Sequence, residues 1–185
     1  MTPAGSVGSD ERLRLFLALQ LPPATIDVLV LWQAAHLRGG RIVPREHLHI
    51  TLAFLGSRPA VELAGVVDAL RVAVGTTGPM AFAPTGWRET RSVGMVVLRD
   101  AEGEATRLAG RLHRRLEELG VYRPESRPWL PHLTVLRFRE RPRLDPPLPE
   151  TGTFVPSGAA AFLSRLHPTG ARYEVLERVS LNEGG

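Results

Sequence analysis

The chain has 185 residues, no cysteine and no lysine, so its 23 basic residues are all arginine, set against 19 acidic ones for a net charge of +4. Those counts exclude disulfides, zinc–thiolate sites, thiol catalysis, lysine Schiff bases and lysine-bearing phosphate loops. A content of 43% hydrophobic and 23% charged residues, with no apolar run near the roughly 20 residues that cross a bilayer, describes a soluble globular chain without a membrane partner. The arginine excess has two readings, codon bias or a polyanionic partner whose phosphate oxygens match the guanidinium fork.

Residues 1–11 read as a disordered tail, followed by a single domain over 12–182. The first ten residues lack a basic-then-apolar signal pattern, which places the chain in the cytoplasm. Leu13 to Leu19 alternates as a strand, with leucines on one face and Arg14, Phe16 and Ala18 on the other. After Pro22-Pro23, Ile26, Leu29, Val30 and Leu37 follow helical spacing as far as Gly39-Gly40. His47 to Gly56 alternates again: Leu48, Ile50, Leu52 and Phe54 point to the core, while His47, His49, Thr51 and Ala53 share the other face. Leu63, Val66, Val67, Leu70 and Val74 make a second helix ended by Gly75. Met80–Trp87 and Val93–Leu98 read as a hairpin, and Glu102–Gly120 as a third helix with an apolar stripe from Ala105 to Leu119. His113 falls among that helix's charges and is expected to be exposed and inert. A strand at Pro131–Leu136, a proline- and arginine-rich loop at 139–149 that is mobile or functional, and strands at 154–163 and 172–181 complete the chain.

The pattern His-x-Thr occurs twice, at His49/Thr51 and, 83 positions on, at His132/Thr134. Each follows a strand and a helix, in 13–55 and again in 93–138. The economical architecture is an α+β bilobal duplicated fold, with two antiparallel sheets and flanking helices around a central cleft that carries both motifs. Two imidazoles there can divide acid and base work near neutral pH, and hydroxyls can donate to oxygens that gain charge. Phosphoryl transfer to water needs that set. Arg137 offers a bidentate contact, although its odd spacing from His132 demands a bulge, a twist or its own length to reach the same face. A three-histidine metal site at His47, His49 and His132 is a rival, weakened by the absence of neighbouring carboxylates or a His-Glu-x-x-His motif.

His49-Ile50-Thr51-Leu52 and His132-Leu133-Thr134-Val135 resemble the paired signatures of the 2H phosphoesterase superfamily. Arg14-Leu15-Phe16, Val43-Pro44, Phe54-Leu55-Gly56, Arg127-Pro128, Arg137 and Gly170-Ala171-Arg172-Tyr173 narrow the likeness to the RNA 2′,3′-cyclic phosphodiesterases, also called 2′-5′ RNA ligases, over residues 12–181. The resemblance implies opening of a terminal RNA 2′,3′-cyclic phosphate to a 2′-phosphate, with no cofactor and no metal. It assigns His49 as proton donor and His132 as proton acceptor, roles that exchange in the reverse direction, and adds reversible 2′-5′ RNA ligation. Thr51, Thr134 and Arg137 hold the phosphate, and Phe16 stacks on a base or fills the core. His47 has no repeat partner, since Leu130 stands in its place, and is expected to shape the pocket. A monomer acting on RNA or oligonucleotide ends is the leading expectation; another small cyclic nucleotide as substrate, or a binding module without turnover, are the alternatives.

Overall fold

The computed structural model describes residues 11–181, so the tail expected at 1–11 falls outside them but for Glu11. Two four-stranded antiparallel sheets form the frame. In the first, β3 (His49–Pro59) lies at the edge beside β1 (Arg12–Gln20), followed by β7 (Gly158–Arg165) and β8 (Arg172–Val179). In the second, the two-residue β2 (Arg41–Ile42) flanks β6 (His132–Arg137), followed by β5 (Val93–Asp100) and β4 (Phe82–Glu89). Helices α1 (Pro23–His36), α2 (Leu63–Gly75) and α3 (Glu104–Glu118) pack on them. The duplicated unit is therefore β1–α1–β3 and β5–α3–β6, each with its outer strands paired antiparallel.

Pro23 starts α1, where a missing N–H and a fixed φ suit the first turn. The stripe Ala105, Leu108, Ala109, Leu112 and Leu116 on α3 is completely buried, as its spacing predicts. At about 1.5–3 kcal/mol for each buried leucine, that stripe outweighs helix propensity in holding α3. One hydrophobic core runs through both sheets, taking in Leu15, Leu17, Leu19 and Ile50 from the first and Val96, Leu98 and Leu133 from the second. Among the described residues no helix is long and apolar enough to cross a membrane.

Two expectations change, and of the two readings of Phe16 the core one holds. Phe16 and Ala18 are buried as well as the leucines between them, because β1 is a central strand flanked on that face by Ala160 and Phe162 of β7. The strand expected from residue 154 starts at Gly158; Phe154 instead makes a single bridge to Phe82 of the other sheet. The loop at 139–149 is pinned rather than loose. The Glu89 carboxylate accepts hydrogen bonds from Leu144 N, Arg143 N and Arg141 Nε, and the Trp32 indole donates to the Pro147 carbonyl at 2.7 Å.

Candidate active site

The two His-x-Thr strands carry the same irregularity at the same place. Along β3 the pairing runs Ala18↔Thr51 and then Leu17↔Ala53, so Leu52 is an extra residue. Along β6 it runs Met95↔Thr134 and then Gly94↔Leu136, so Val135 is extra, 83 positions after Leu52. A bulge of one residue resets the parity of a strand. Leu52 and Ala53 are both buried, as are Val135 and Leu136, and the next residue in each strand returns to the face of the histidine and threonine. In β3 that residue is Phe54, which the alternation assigns to the core but which is 49% exposed and lines the cleft. In β6 it is Arg137, whose odd spacing from His132 is thereby resolved. Phe54 and Arg137 are equivalent positions of the repeat.

Each bulge is held by side chains from the other half of the chain. The Leu52 carbonyl accepts from His113 Nε2 of α3 at 2.7 Å, and the adjacent Thr51 carbonyl from the Trp129 indole at 3.0 Å. The Val135 carbonyl accepts from the fully buried Gln33 of α1 at 2.9 Å and from Val43 N at 3.0 Å, while Gln33 also donates to the Val43 carbonyl at 3.1 Å. So α1 fixes the bulge of the second motif and α3 that of the first. His113 is thus half-buried and structural, not an inert surface residue; its charged neighbours on the helix disguise it. Gly40 has a related task, since a Cβ there would collide with the Arg137 carbonyl, so only glycine lets the turn after α1 lie against β6.

Between the sheets lies a cavity of about 490 Å³ lined by Phe16, His49, Thr51, Phe54, Thr134 and Arg137, together with Arg14, Arg41, His47 and Tyr173. His49 Nδ1–H donates to the His47 carbonyl at 2.7 Å, leaving Nε2 to accept from the Thr51 hydroxyl at 3.0 Å. His132 repeats the device, with Nδ1 on the Leu130 carbonyl at 2.8 Å. Both rings are oriented by the carbonyl two residues earlier, which occupies Nδ1 and leaves Nε2 for other partners in each. His132, half-buried, precedes Thr134 on the same face of β6, and its charge is felt at His49.

Burial holds the His49 pKa down at about 4, opposed by its bond to the His47 carbonyl and reinforced by repulsion from His47, His132 and Arg137. His47 is lowered too, first by burial and then by Arg137 and Arg41, with Glu46 acting the other way. It sits in a 3-10 turn, Arg45–His47, ahead of β3 rather than in it, with its ring 4.2 Å from that of Tyr173. No carboxylate lines the cavity. Among the described residues no group of three or more histidines and acids is placed to hold a metal ion, so the His47, His49 and His132 triad is not assembled.

Phe16, expected to grip a base or fill the core, is part of a core cluster with Ala18, Ala160 and Phe162. It is 3% exposed and forms the cavity floor, stacked on Phe162 at 4.8 Å with an interplanar angle of 6° and carrying the His49 ring 5.0 Å above it. The exposed aromatic is Phe54, with the Arg14 guanidinium 4.8 Å from its ring centre. Sequence reasoning also missed Arg41, brought to the site by β2, and Tyr173, packed edge-on against Phe16.

A fold of two sheets with mirrored His-x-Thr strands converging on an arginine-lined cavity is that of a phosphoesterase with two histidines. A model of the 2′-5′ RNA ligase superfamily matches residues 22–174, and the chain belongs to that superfamily. It is 34% identical over 184 residues to an RNA 2′,3′-cyclic phosphodiesterase of Thermus thermophilus, covering 91% of this chain and 90% of that one. It is 28% identical to the RNA 2′,3′-cyclic phosphodiesterase of Escherichia coli, covering 94% and 99%. Among solved structures, one from T. thermophilus superposes with a TM-score of 0.79 at 35% identity over 91% of this chain and 98% of that one. E. coli LigT in apo form gives 0.78 at 26% identity over 94% and 100%.

Proposed function

We propose that the protein is a metal-independent RNA 2′,3′-cyclic phosphodiesterase that hydrolyses a terminal 2′,3′-cyclic phosphate to a 2′-phosphate, working as a monomer in the cytoplasm. The observation that carries this reading is the duplication of one device, an oriented imidazole, a hydroxyl and a bulge, on two strands that share a cavity. His132 takes a proton from water as its oxygen attacks phosphorus. The bond from phosphorus to O3′ breaks, and His49 gives its proton to that oxygen. Thr51, Thr134 and Arg137 donate to the non-bridging oxygens as their charge grows. With an RNA 5′-hydroxyl in place of water, the same step with the same histidine roles forms a 2′-5′ bond and frees the 3′-hydroxyl; its reverse, cleavage of that bond to the cyclic phosphate, exchanges the two histidines. The test is product analysis with RNA ending in a 2′,3′-cyclic phosphate, in the presence of chelator. Release of a 2′-phosphate end is expected; an intact cyclic end, or activity lost to the chelator, contradicts the reading.

A donor role for His49 needs a proton that the free protein withholds at neutral pH. The bound phosphate supplies the missing counter-charge. It turns a site of mutual repulsion into one of attraction, and the protonated Nε2 then donates to the ligand instead of accepting from Thr51, whose hydroxyl turns its own proton to the ligand. Between about pH 4 and the raised value in the complex, anion binding therefore takes up a proton, and affinity rises as pH falls. In an NMR titration the His49 ring is expected to titrate near 4 when free and clearly higher in saturating inorganic phosphate. An unchanged value removes His49 as the acid.

Phe54 is the platform on which a nucleobase rests, backed by Arg14. Base stacking on an aromatic ring is worth about 1–3 kcal/mol, so Phe54→Ala is expected to lower kcat/KM about tenfold on a nucleoside 2′,3′-cyclic phosphate. Steady-state kinetics on a ribose 2′,3′-cyclic phosphate that lacks a base should show no such loss.

A further inference from the structure

Next to the cavity that holds His49 lies a second hollow of about 470 Å³, lined by Gly40, Arg41, Arg137, Phe138 and Arg139. The two share Arg41 and Arg137, so they adjoin with the phosphate-facing guanidinium between them. Neither is lined by an acid. Elsewhere the described arginines with carboxylate partners are Arg45, Arg58, Arg71, Arg107, Arg111, Arg141 and Arg165, and none of these lines either hollow. The four arginines that line this trough, Arg14, Arg41, Arg137 and Arg139, thus carry no carboxylate partner among the described residues.

Two details show that the charges are placed rather than scattered. Arg41 and Arg137 stand directly opposite each other on β2 and β6, where like charges destabilise a strand pair unless an anion joins them. The Arg41 guanidinium is also oriented, donating to the Thr169 carbonyl at 3.2 Å and resting on Gly170, where any side chain would strike it. A neutral carbonyl fixes its position and leaves its charge available to a ligand.

We propose that this second hollow binds the phosphodiester one nucleotide upstream of the cyclic phosphate, held by Arg139 and Arg41, so that the preferred substrate is an oligonucleotide end rather than a free nucleotide. The inference rests on the proposed activity and names the substrate class of that site. One charge-assisted contact made by the dinucleotide and not by the mononucleotide corresponds to about a tenfold advantage.

The experiment compares kcat/KM on three substrates: a nucleoside 2′,3′-cyclic phosphate, a dinucleotide ending in the same group, and that dinucleotide with an uncharged methylphosphonate at its internal linkage. The natural protein is expected to favour the charged dinucleotide about tenfold and to treat the methylphosphonate like the mononucleotide. In Arg139→Gln the ratio of dinucleotide to mononucleotide is expected to fall towards one. Equal rates on charged and uncharged dinucleotides overturn the upstream site, whatever the variant does. Failure to hydrolyse any of the three overturns the proposed activity itself, and with it this inference.

Discussion

Replacing either His49 or His132 by alanine is expected to lower kcat about 10³-fold or more, at the upper end of what one positioned acid or base supplies. The two losses come from one mechanical cause. Each ring is fixed by a bond from Nδ1 to the carbonyl two residues before it, so a single nitrogen of each is offered to the substrate. Nothing else in the cavity replaces His49, since the lining holds no carboxylate and His47 is turned against Tyr173; from β6 the lining takes in Thr134 and Arg137, with His132 behind them on the same strand face. The roles separate chemically. A substrate whose 3′ leaving atom is sulfur departs as a thiolate without a proton, so it is expected to restore most of the rate to His49→Ala and none to His132→Ala. The natural protein should show a bell-shaped pH–rate profile whose two apparent pKa values belong to the coupled pair. Full activity in either alanine variant contradicts the account.

Arg137→Gln is expected to lower kcat/KM by about 10²–10³, the range for one donor aimed at developing charge. Arg137 is placed by more of the fold than any other site residue. The bulge at Val135 turns it into the cavity, Gln33 holds the Val135 carbonyl, and Gly40 permits the neighbouring turn to approach. Its effect should fall mainly on kcat, because the non-bridging oxygens gain charge as water attacks. Arg137→Lys keeps the charge but not the fork that meets two oxygens at once, and is expected to recover only part of the loss. A pure KM effect in steady-state kinetics would instead mark Arg137 as a ground-state contact.

Much of this site was legible in the chain because its histidines and threonines obey simple alternation and recur at a fixed interval. What alternation hid was the bulge. Leu52-Ala53 and Val135-Leu136 are adjacent apolar residues after each threonine, a break in the period of two that can mark an extra residue, but an apolar pair also suits a strand covered on both faces. Reading it as regular sends Phe54 to the core and leaves Arg137 on the wrong side. Phe16 was ambiguous for another reason: whether the second face of β1 is covered depends on β7, some 140 residues later, and no local pattern reports that. The two residues of β2 are too few to show any period, and they bring Arg41 opposite Arg137. Gln33 and His113 act at long range on carbonyls of the other half, so their tasks appear only once both halves are assembled.

On the proposed mechanism the two mirrored strands grip one phosphate from opposite sides. A crystal structure of the protein with a nucleoside 2′-monophosphate measures this directly. His49 Nε2 is expected within hydrogen-bond distance of the ribose O3′, His132 Nε2 on a phosphate oxygen across the phosphorus, and the oxygens facing Arg137 held by its fork. A phosphate touched by one histidine alone, or seated away from both, contradicts it.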